Sequence, residues 1–389
     1  MKKIFYYFIA SMLLLSCDGM DVSDAGGGDV TGTDTDTDIQ KPVVLTLTAD
    51  TYYIKADGND ACKLTVSLDG KVLEEGFVIQ NLTDQVEHQA AEFVSSKTGE
   101  WRFMATYQMP VSDNSGASEL LQTLPVTVKA VDFDVPPTIA DLQPENLSFV
   151  RRVLFTQFTG TECTACPGMK AALKTFMEDP DHASKVVLVA AHCGIYTDGD
   201  PARLDEGLDQ ALGANVKPHL DINFKQYSWQ TGSGSVLLES NLNKAYNQSP
   251  ANAAISVNSV HVNGLLRVKV SVKAAVRGRY RVGLWVLEDA IEGVQQGTKD
   301  ESYYIHDDCV RAVYGEVEDQ KDYSGILLGD IEQGGTAEYV FEVLVDDKWE
   351  LENCHMAIFV TDQNTKGKYY VNNVVDCPIV GQVPYEYKN

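Results

Sequence analysis

The chain has 389 residues, of which 31 are basic and 56 are acidic, so its formal net charge is −25. A surface of this charge repels phosphate backbones, which argues against nucleic-acid binding. The nearest basic group, Arg277, Arg279 and Arg281, alternates along an extended segment and is typical of the solvent face of a strand. The length exceeds one ordinary hydrophobic core and predicts roughly two to three domains.

Residues 1–17 are typical of a bacterial lipoprotein signal peptide. Lys2 and Lys3 precede an apolar stretch shorter than the about 20 residues that a membrane-spanning helix needs. The stretch runs into a lipobox, LLSC, at residues 14–17. We expect several acyl chains on Cys17 to anchor the mature protein to a membrane, since one chain alone binds only marginally. The alternative is an ordinary secretory signal that happens to precede a cysteine.

Two segments of different composition follow the signal. Residues 18–41 are Asp, Gly, Thr and Ser with almost no large apolar side chain, which predicts a disordered acidic tether. Residues 42–131 alternate polar and apolar side chains over several short stretches, which predicts an immunoglobulin-like β-sandwich. Cys62 falls on the apolar side of one predicted strand, so we expect a buried thiol there.

The remaining chain divides into a linker and two further modules. Residues 132–147 are proline-containing and aperiodic, which predicts an interdomain linker. Residues 148–250 alternate apolar strand-like runs with helical periodicity, which predicts an α/β layer with some parallel pairing. Residues 251–389 return to strand-like alternation, and Asn263-Gly264 is typical of a type I′ hairpin turn. We expect a second β-sandwich in this last segment.

A C-x-x-C pair, Cys163 and Cys166, stands between a predicted strand and an amphipathic helix. The positive end of a helix dipole favours a thiolate, so this spacing is typical of thiol-disulfide exchange. We expect Cys163 to be the exposed, attacking sulfur and Cys166, a turn inside the helix, to resolve the mixed disulfide. Pro167 suits the first helical turn, where its missing N–H has no helical partner.

The pair and its surroundings resemble a thioredoxin-like fold. In that fold a cis-proline begins a strand beside the cysteines, and the residue before it offers backbone hydrogen bonds to an extended substrate. Pro218 lies at the corresponding place, about fifty residues after the motif. The resemblance therefore implies a cis bond between Lys217 and Pro218, which together would form a substrate groove.

A second resemblance is to the Omp-twenty-eight-related outer-membrane lipoproteins of Bacteroidetes, from about residue 149 to the end. The segments that carry it are residues 158–167 (FTGTECTACP), 189–192 (VAAH), 304–306 (YIH) and 371–375 (VNNVV). The resemblance implies a thioredoxin-like module among β-rich ones, lipid-anchored at the outer membrane and facing the periplasm or the cell surface. Members of this family have been regarded as surface proteins, adhesins and receptors among them.

Several residues depart from thioredoxins proper. Glu162 replaces their Trp before the first cysteine, and a carboxylate there is expected to raise the pKa of Cys163. Thr164 and Ala165 replace their Gly-Pro, and His219 stands where Thr usually follows the proline.

Two other interpretations of the C-x-x-C pair stay open. It could be a static structural disulfide, because exported pairs often only brace a fold. It could instead form half of a Cys₃His zinc site completed by His192 and Cys193, although we expect neither a metal nor another cofactor. His192 ends an apolar strand and is a candidate to assist proton transfer, but a strand-end histidine is more often simply hydrogen-bonded.

Cys354 and Cys377 are equidistant from the centre of a predicted hairpin turn. Directly opposed residues of antiparallel strands lie within disulfide range, so we hypothesise a structural bridge between them. Cys309 competes as a partner, and His306 with Cys309 has a ligand-like spacing that usually reflects packing.

Two functions follow from these patterns. The first is a membrane-anchored thiol-disulfide oxidoreductase that acts on envelope or surface proteins. The second is a non-catalytic surface adhesin or binding lipoprotein, in which the thioredoxin-like fold is a scaffold and the sandwiches present binding loops. The sequence does not decide whether the pair turns over.

Overall fold

The computed structural model describes residues 43–90, 92–110, 118–205, 207–227, 234–315 and 323–388. The predicted signal peptide, the lipid site Cys17 and the predicted tether lie outside the described residues. Among the described residues, no helix is both long enough and apolar enough to span a membrane.

The first part of the described chain consists of two sheets around one core. One sheet has the order β1-β3-β4 with β7 also on β3, and the other has the order β2-β10-β8-β5-β6 with β9 also on β8. Alternate residues of the strands face inward, among them Cys62, Leu64 and Val66 of β3. Cys62 is a fully buried thiol, as predicted. The strands are β1 (Leu45–Ala49), β2 (Tyr53–Lys55), β3 (Ala61–Leu68), β4 (Lys71–Val72), β5 (Phe77–Asn81), β6 (Val86–His88), β7 (Glu92–Val94), β8 (Gly99–Pro110), β9 (Ser118–Gln122) and β10 (Val126–Val131).

The next part alternates strands and helices. Strands β11 and β12 pair in parallel, β13 runs antiparallel to β11, and β14 runs antiparallel to β13. Helix α1 buries Met169, Leu173 and Phe176, spaced three to four residues apart, against this sheet and α4. The elements are β11 (Val153–Thr159), α1 (Cys166–Met177), α2 (Pro180–Lys185), β12 (Val186–His192), α3 (Leu208–Ala211), β13 (His219–Ile222), β14 (Lys225–Tyr227) and α4 (Gly234–Asn247).

The last part is formed by strands, with short 3₁₀ turns at Glu301–Tyr304 and Leu351–Asn353. Asn263 and Gly264 both have positive φ and join two strands, as the predicted hairpin requires. The strands are β15 (Ala253–Val262), β16 (Leu265–Ala274), β17 (Gly278–Glu288), β18 (Ile291–Glu292), β19 (Ile305–His306), β20 (Cys309–Tyr314), β21 (Ile326–Ile331), β22 (Thr336–Leu344), β23 (Cys354–Gln363), β24 (Tyr369–Pro378) and β25 (Gly381–Val383).

One nine-stranded sheet crosses the boundary that the sequence predicts between residues 250 and 251. Its order is β14-β13-β11-β12-β20-β17-β23-β24, with β21 also on β17, and Ala190 of β12 lies opposite Cys309 of β20. A single buried cluster contains Phe158 from the α/β part and Trp285 and Phe359 from the last strands. Because β20 covers the edge that β12 would otherwise expose, the two predicted modules share one sheet and one core.

A four-stranded sheet, β22-β16-β15-β25, packs on the far half of the nine-stranded sheet. This half therefore has the two-layer arrangement that the sequence predicts for residues 251–389. The described chain is β-rich and consists of several packed sheets.

Candidate functional site

A disulfide joins Cys163 and Cys166 in the turn between β11 and α1, with an S–S distance of 2.06 Å. Helix α1 begins at Cys166, and Pro167 occupies its first turn. The expectation that Cys166 lies a turn inside the helix was wrong, because the N–H of Cys166 instead closes a turn onto the Cys163 carbonyl. With the two sulfurs bonded to each other, neither serves as a zinc ligand in this state.

Both sulfurs are buried, which corrects the prediction that Cys163 is exposed. Cys163 is 3% exposed and Cys166 is 1% exposed. A loop at residues 293–298, here called the strap, follows β18 and contacts the backbone of the C-x-x-C turn. Because the strap comes from the part of the chain beyond residue 250, neighbouring sequence gives no signal for it.

The strap is hydrogen-bonded to the backbone of the C-x-x-C turn. The Gln295 amide Nε2 donates to the carbonyl oxygens of Gly160, Thr161 and Cys163 at 3.3, 3.1 and 3.1 Å. The N–H of residue 296 donates to the Thr161 carbonyl at 2.8 Å. The strap thus satisfies carbonyl groups that a turn otherwise offers to water.

Gly297 brings the strap into direct contact with the turn. A Cβ on Gly297 would lie 2.1 Å from the Thr164 carbonyl oxygen, and the φ of Gly297 is +87°. Only glycine fits both the space and the backbone conformation.

His192 lies at the end of β12 and is 1% exposed. Its Nδ1 lies 2.8 Å from Asp200 Oδ2, which also accepts the N–H of Thr161 at 2.8 Å. Asp200 Oδ1 accepts the N–H of Ala202. Burial alone raises the pKa of Asp200, but the hydrogen bond and charge of His192 and the two backbone N–H groups outweigh burial and lower the pKa to about 2. Asp200 therefore links His192 to the C-x-x-C turn through hydrogen bonds to both.

A second histidine, His306, packs edge-on against His192 with ring centroids 5.0 Å apart. Burial, followed by the nearby positive charges of His192 and Lys170, lowers the pKa of His306 to about 4. Neutral His306 donates from Nε2 to the carbonyl of Gly293 at 3.0 Å. His306 thus holds the beginning of the strap. Cys309 is a separate buried thiol in contact with the Asp307 carbonyl, which agrees with packing as the reason for the His306–Cys309 spacing.

A cavity of about 550 Å³ lies beside the disulfide, between α1 and the sheet. Cys166, His192 and His306 line one end of it, and Lys170 lies on the helix side. One cavity is thus lined by Cys166, His192, His306 and Lys170, and the spacing of these residues in the sequence does not reveal that they meet there.

The Lys217–Pro218 peptide bond is cis, the geometry that the resemblance implies. His219 lies opposite Phe158 in the β13–β11 pair, so Pro218 stands next to the end of β11. The Lys217 side chain turns toward the Ile195 carbonyl and Asp209. A groove here would therefore use the backbone of Lys217, and this role stays a prediction.

The hypothesised Cys354–Cys377 bridge was wrong. The hairpin of β23 and β24 forms, but next to the turn its register pairs Gln363 with Tyr369, one residue off the expected symmetry. A shift between Val360 and Thr361 adds one more residue, so that Cys377 lies opposite Met356. Both cysteines are buried thiols, and neither bonds Cys309. Cys354 contacts the Glu350 carbonyl, and burial raises its pKa to about 12.

Sequence reasoning missed Asp200, Gln295 and a cluster of Asp289, Asp308 and His355. Asp200 and Gln295 act through contacts with a turn 39 and 132 or more residues away in sequence. Neither residue belongs to a local motif, so long-range pairing is the signal that one sequence lacks.

No family model matches the chain, and no curated protein matches it. Among solved structures, the chain is similar to HBP35 of Porphyromonas gingivalis with a TM-score of 0.47 and 15% identity, over 59% of this chain and 76% of that one. It is also similar to a DUF4785 family protein of Legionella pneumophila with a TM-score of 0.18 and 9% identity, over 88% of this chain and 58% of that one. Both TM-scores are below 0.5.

Proposed function

We propose that the protein is an outer-membrane or cell-surface lipoprotein whose thioredoxin-like module exchanges disulfides with envelope or surface proteins. The observation that carries this proposal is the Cys163–Cys166 disulfide in the turn where β11 gives way to α1. The positive end of α1 favours a thiolate at that turn once the bond is reduced.

The exchange proceeds in two balanced steps. In the reduced protein, the Cys163 thiolate attacks a substrate disulfide, forms a mixed disulfide and releases one substrate thiolate. The Cys166 thiolate then attacks the Cys163 sulfur, which releases the second substrate thiolate and leaves the Cys163–Cys166 bond. The substrate gains two electrons and the protein loses two. His192 and His306 line the same cavity as Cys166 and are candidates to exchange the protons.

The proposed location rests on residues 1–17. Their pattern of a basic start, a short apolar stretch and LLSC supports acylation of Cys17 and attachment to a membrane. Mass spectrometry of the mature N-terminus tests this: we expect a diacylglyceryl group and an amide-linked acyl chain on Cys17, and an unmodified N-terminus would contradict it.

Insulin reduction by dithiothreitol tests the exchange activity. We expect the full lipoprotein in detergent to accelerate the reaction and Cys163→Ser to remove the acceleration. Cys62→Ser is the matched control, because it changes a buried thiol in the first sandwich, and it should keep the wild-type rate. Background rates for both wild type and Cys163→Ser would refute catalysis.

A second function has its own supporting observation, the near-complete burial of Cys163 and Cys166. A covered disulfide suits a brace in a surface adhesin or binding protein, in which the sandwiches present loops. This function predicts that Cys163→Ser lowers Tm while insulin reduction stays at background in every variant.

A further inference from the structure

Three side chains with metal-ligating atoms meet at one end of the last strands. Glu288 of β17 lies opposite Cys309 of β20 on one side and opposite Cys354 of β23 on the other. The residue next to each of these positions is Asp289, Asp308 or His355. The register thus brings one oxygen of each aspartate and Nε2 of the histidine within 4.8 Å of one another.

The Asp289 Oδ1 atom accepts the backbone N–H of Asp308 at 2.8 Å, but the separations between His355 Nε2 and the two carboxylates are too long for ordinary hydrogen bonds. Nε2 of His355 lies 3.5 Å from Asp289 Oδ1 and 3.7 Å from Asp308 Oδ1. An N–H to oxygen hydrogen bond has a length of about 2.7 to 3.2 Å. Ligands around a tetrahedral zinc ion, with bonds of roughly 2.0 to 2.2 Å, lie roughly 3.3 to 3.6 Å apart. The distance of 3.5 Å lies within this range and the distance of 3.7 Å lies slightly above it, so the gap is close to the size that a zinc ion needs.

His355 supplies an independent indication, because its two ring nitrogens have different surroundings. Nδ1 lies 2.7 Å from Asp376 Oδ1, to which it donates. Nε2 is shielded from solvent and has no hydrogen-bond partner among the described residues. Nε2 therefore faces two carboxylates across a gap that no hydrogen bond closes, and closely spaced carboxylates favour a cation between them.

The arrangement around Asp376 is also that of a metal site. A histidine ligand usually donates its second N–H to a carboxylate, which fixes the ring and makes the other nitrogen a stronger ligand. Asp376 stands in that position on the neighbouring strand β24. The four residues come from β24, from β23 and from the ends next to β17 and β20, so packed strands hold them.

We propose that Asp289, Asp308 and His355 bind a divalent transition-metal ion of the zinc class, with Asp376 as the positioning residue for His355. An imidazole nitrogen favours zinc over magnesium or calcium, which prefer oxygen ligands alone. The protein supplies three ligands and leaves a fourth position open. Two of the four residues, Asp308 and Asp376, also line the cavity that Cys166 lines.

Equilibrium dialysis of the full chain against Zn²⁺ alone, with metal content measured by mass spectrometry, tests the site. We expect one equivalent of zinc per wild-type chain, and affinity at least about 10-fold weaker in Asp289→Asn and His355→Gln. Asp307→Asn is the matched control. This variant removes a carboxylate of the same turn that accepts the Ala290 N–H and is not part of the proposed site. It should bind zinc as wild type does.

Folding is checked separately by the Tm of each metal-free variant. Asp289 is 46% exposed at its side chain, so Asp289→Asn should keep the wild-type Tm without metal and lose the rise in Tm that zinc gives wild type. If wild type binds less than a tenth of an equivalent of zinc, the gap holds a protonated His355 and no metal ion, and the proposed site is wrong. Undiminished binding in both ligand variants, or a thiolate charge-transfer band with Co²⁺, would place the metal elsewhere and overturn it too.

Discussion

Asp200 shows how one buried carboxylate organises the site around the disulfide. Its side chain is fully buried, and it accepts hydrogen bonds from His192, Thr161 and Ala202. Each of these donors belongs to a different stretch: the end of β12, the C-x-x-C turn and the loop that follows β12. Removing the charge leaves several of these donors without an acceptor, which costs more than the bonds themselves contribute.

We predict that Asp200→Asn lowers the free energy of unfolding by about 3 kcal/mol at neutral pH. A carboxyl whose pKa is lowered on folding stabilises the protein above its unfolded pKa of 3.8, and this part is lost as the pH falls to about 2. The deficit of the variant should therefore shrink between pH 4 and pH 2. Urea unfolding at several pH values measures the difference in free energy of unfolding between the variant and wild type. Asp198→Asn, which changes a side chain that is 92% exposed, is the control.

Asp221 of β13 has the opposite electrostatic character. It is fully buried, and burial raises its pKa to about 7, only partly offset by the backbone N–H groups of Phe224 and Lys225. A carboxyl whose pKa is raised on folding binds its proton more tightly when folded, so its ionisation costs stability as the pH rises from about 4 to about 7.

We therefore expect Asp221→Asn to raise Tm at pH 8 and to leave it unchanged at pH 4, because asparagine stays neutral throughout. Differential scanning calorimetry across this pH range tests the expectation. Asp205→Asn, at an 85% exposed side chain, should show no such trend. A lower Tm for Asp221→Asn at pH 8 would contradict it.

At the scale of elements, the strap decides how accessible the disulfide is. The two cysteines lie at the start of α1, where the helix dipole favours a thiolate, but both are buried and the strap is hydrogen-bonded to their turn. Reduction therefore requires local opening, and the rate is expected to follow the opening equilibrium.

We predict that Gln295→Ala speeds reduction of the Cys163–Cys166 bond by dithiothreitol about 10-fold, because it removes the amide that bonds three carbonyl groups of the turn. Thiol labelling followed by mass spectrometry measures the rate. Gln296→Ala is the matched control, since only the backbone N–H of that residue bonds the turn. Equal rates in the two variants would mean that the strap does not limit access.

Individual elements could be predicted well where the signal is local. Period-two alternation identified β3 and placed Cys62 inward, helical spacing identified α1, and Asn263-Gly264 identified a hairpin. Pairing between strands could not be predicted as well. The register set at the turn and a further shift after Val360 each move Cys377 one residue away from Cys354, and symmetry about a turn gives no indication of either.

The candidate site was predictable only in part. The spacing of Cys163 and Cys166 and the apolar runs beside them are local, so their disulfide could be anticipated. Their burial could not, because Gln295 reaches them from a distant segment. The aspartates and histidine of the proposed zinc site likewise meet only because three strands share a register.

At the scale of the whole molecule, a buried ion pair within the last four-stranded sheet is also hydrogen-bonded to residues of the first sandwich. Lys269 of β16 and Glu338 of β22 are both 2% exposed at their side chains, with 3.1 Å between Nζ and Oε2. Glu338 also accepts the N–H of Tyr52 at 2.7 Å, and Lys269 donates to Thr51. The predicted linker is held as well, since Asp141 and nearby carbonyls surround Lys273. Hydrogen bonds to this buried ion pair therefore hold the first sandwich against the last sheet.

We predict that Glu338→Gln costs about 3 to 5 kcal/mol of stability, since it leaves the buried Lys269 without its counter-charge. Limited proteolysis should then cut faster within residues 132–147 than in wild type. Glu342→Gln, four residues along the same strand at a 45% exposed side chain, is the control and should resemble wild type. Cleavage of Glu338→Gln at the wild-type rate would show that this ion pair does not restrain residues 132–147.

The order of the strap and the cysteines along the chain has a consequence for biogenesis. A polypeptide that crosses a membrane N-terminus first delivers residues 163–166 well before residues 293–298. Under the proposed export, an oxidant on the far side reaches both sulfhydryl groups before residues 293–298 fold onto their turn. After these later residues fold, each round of thiol exchange first requires their local opening.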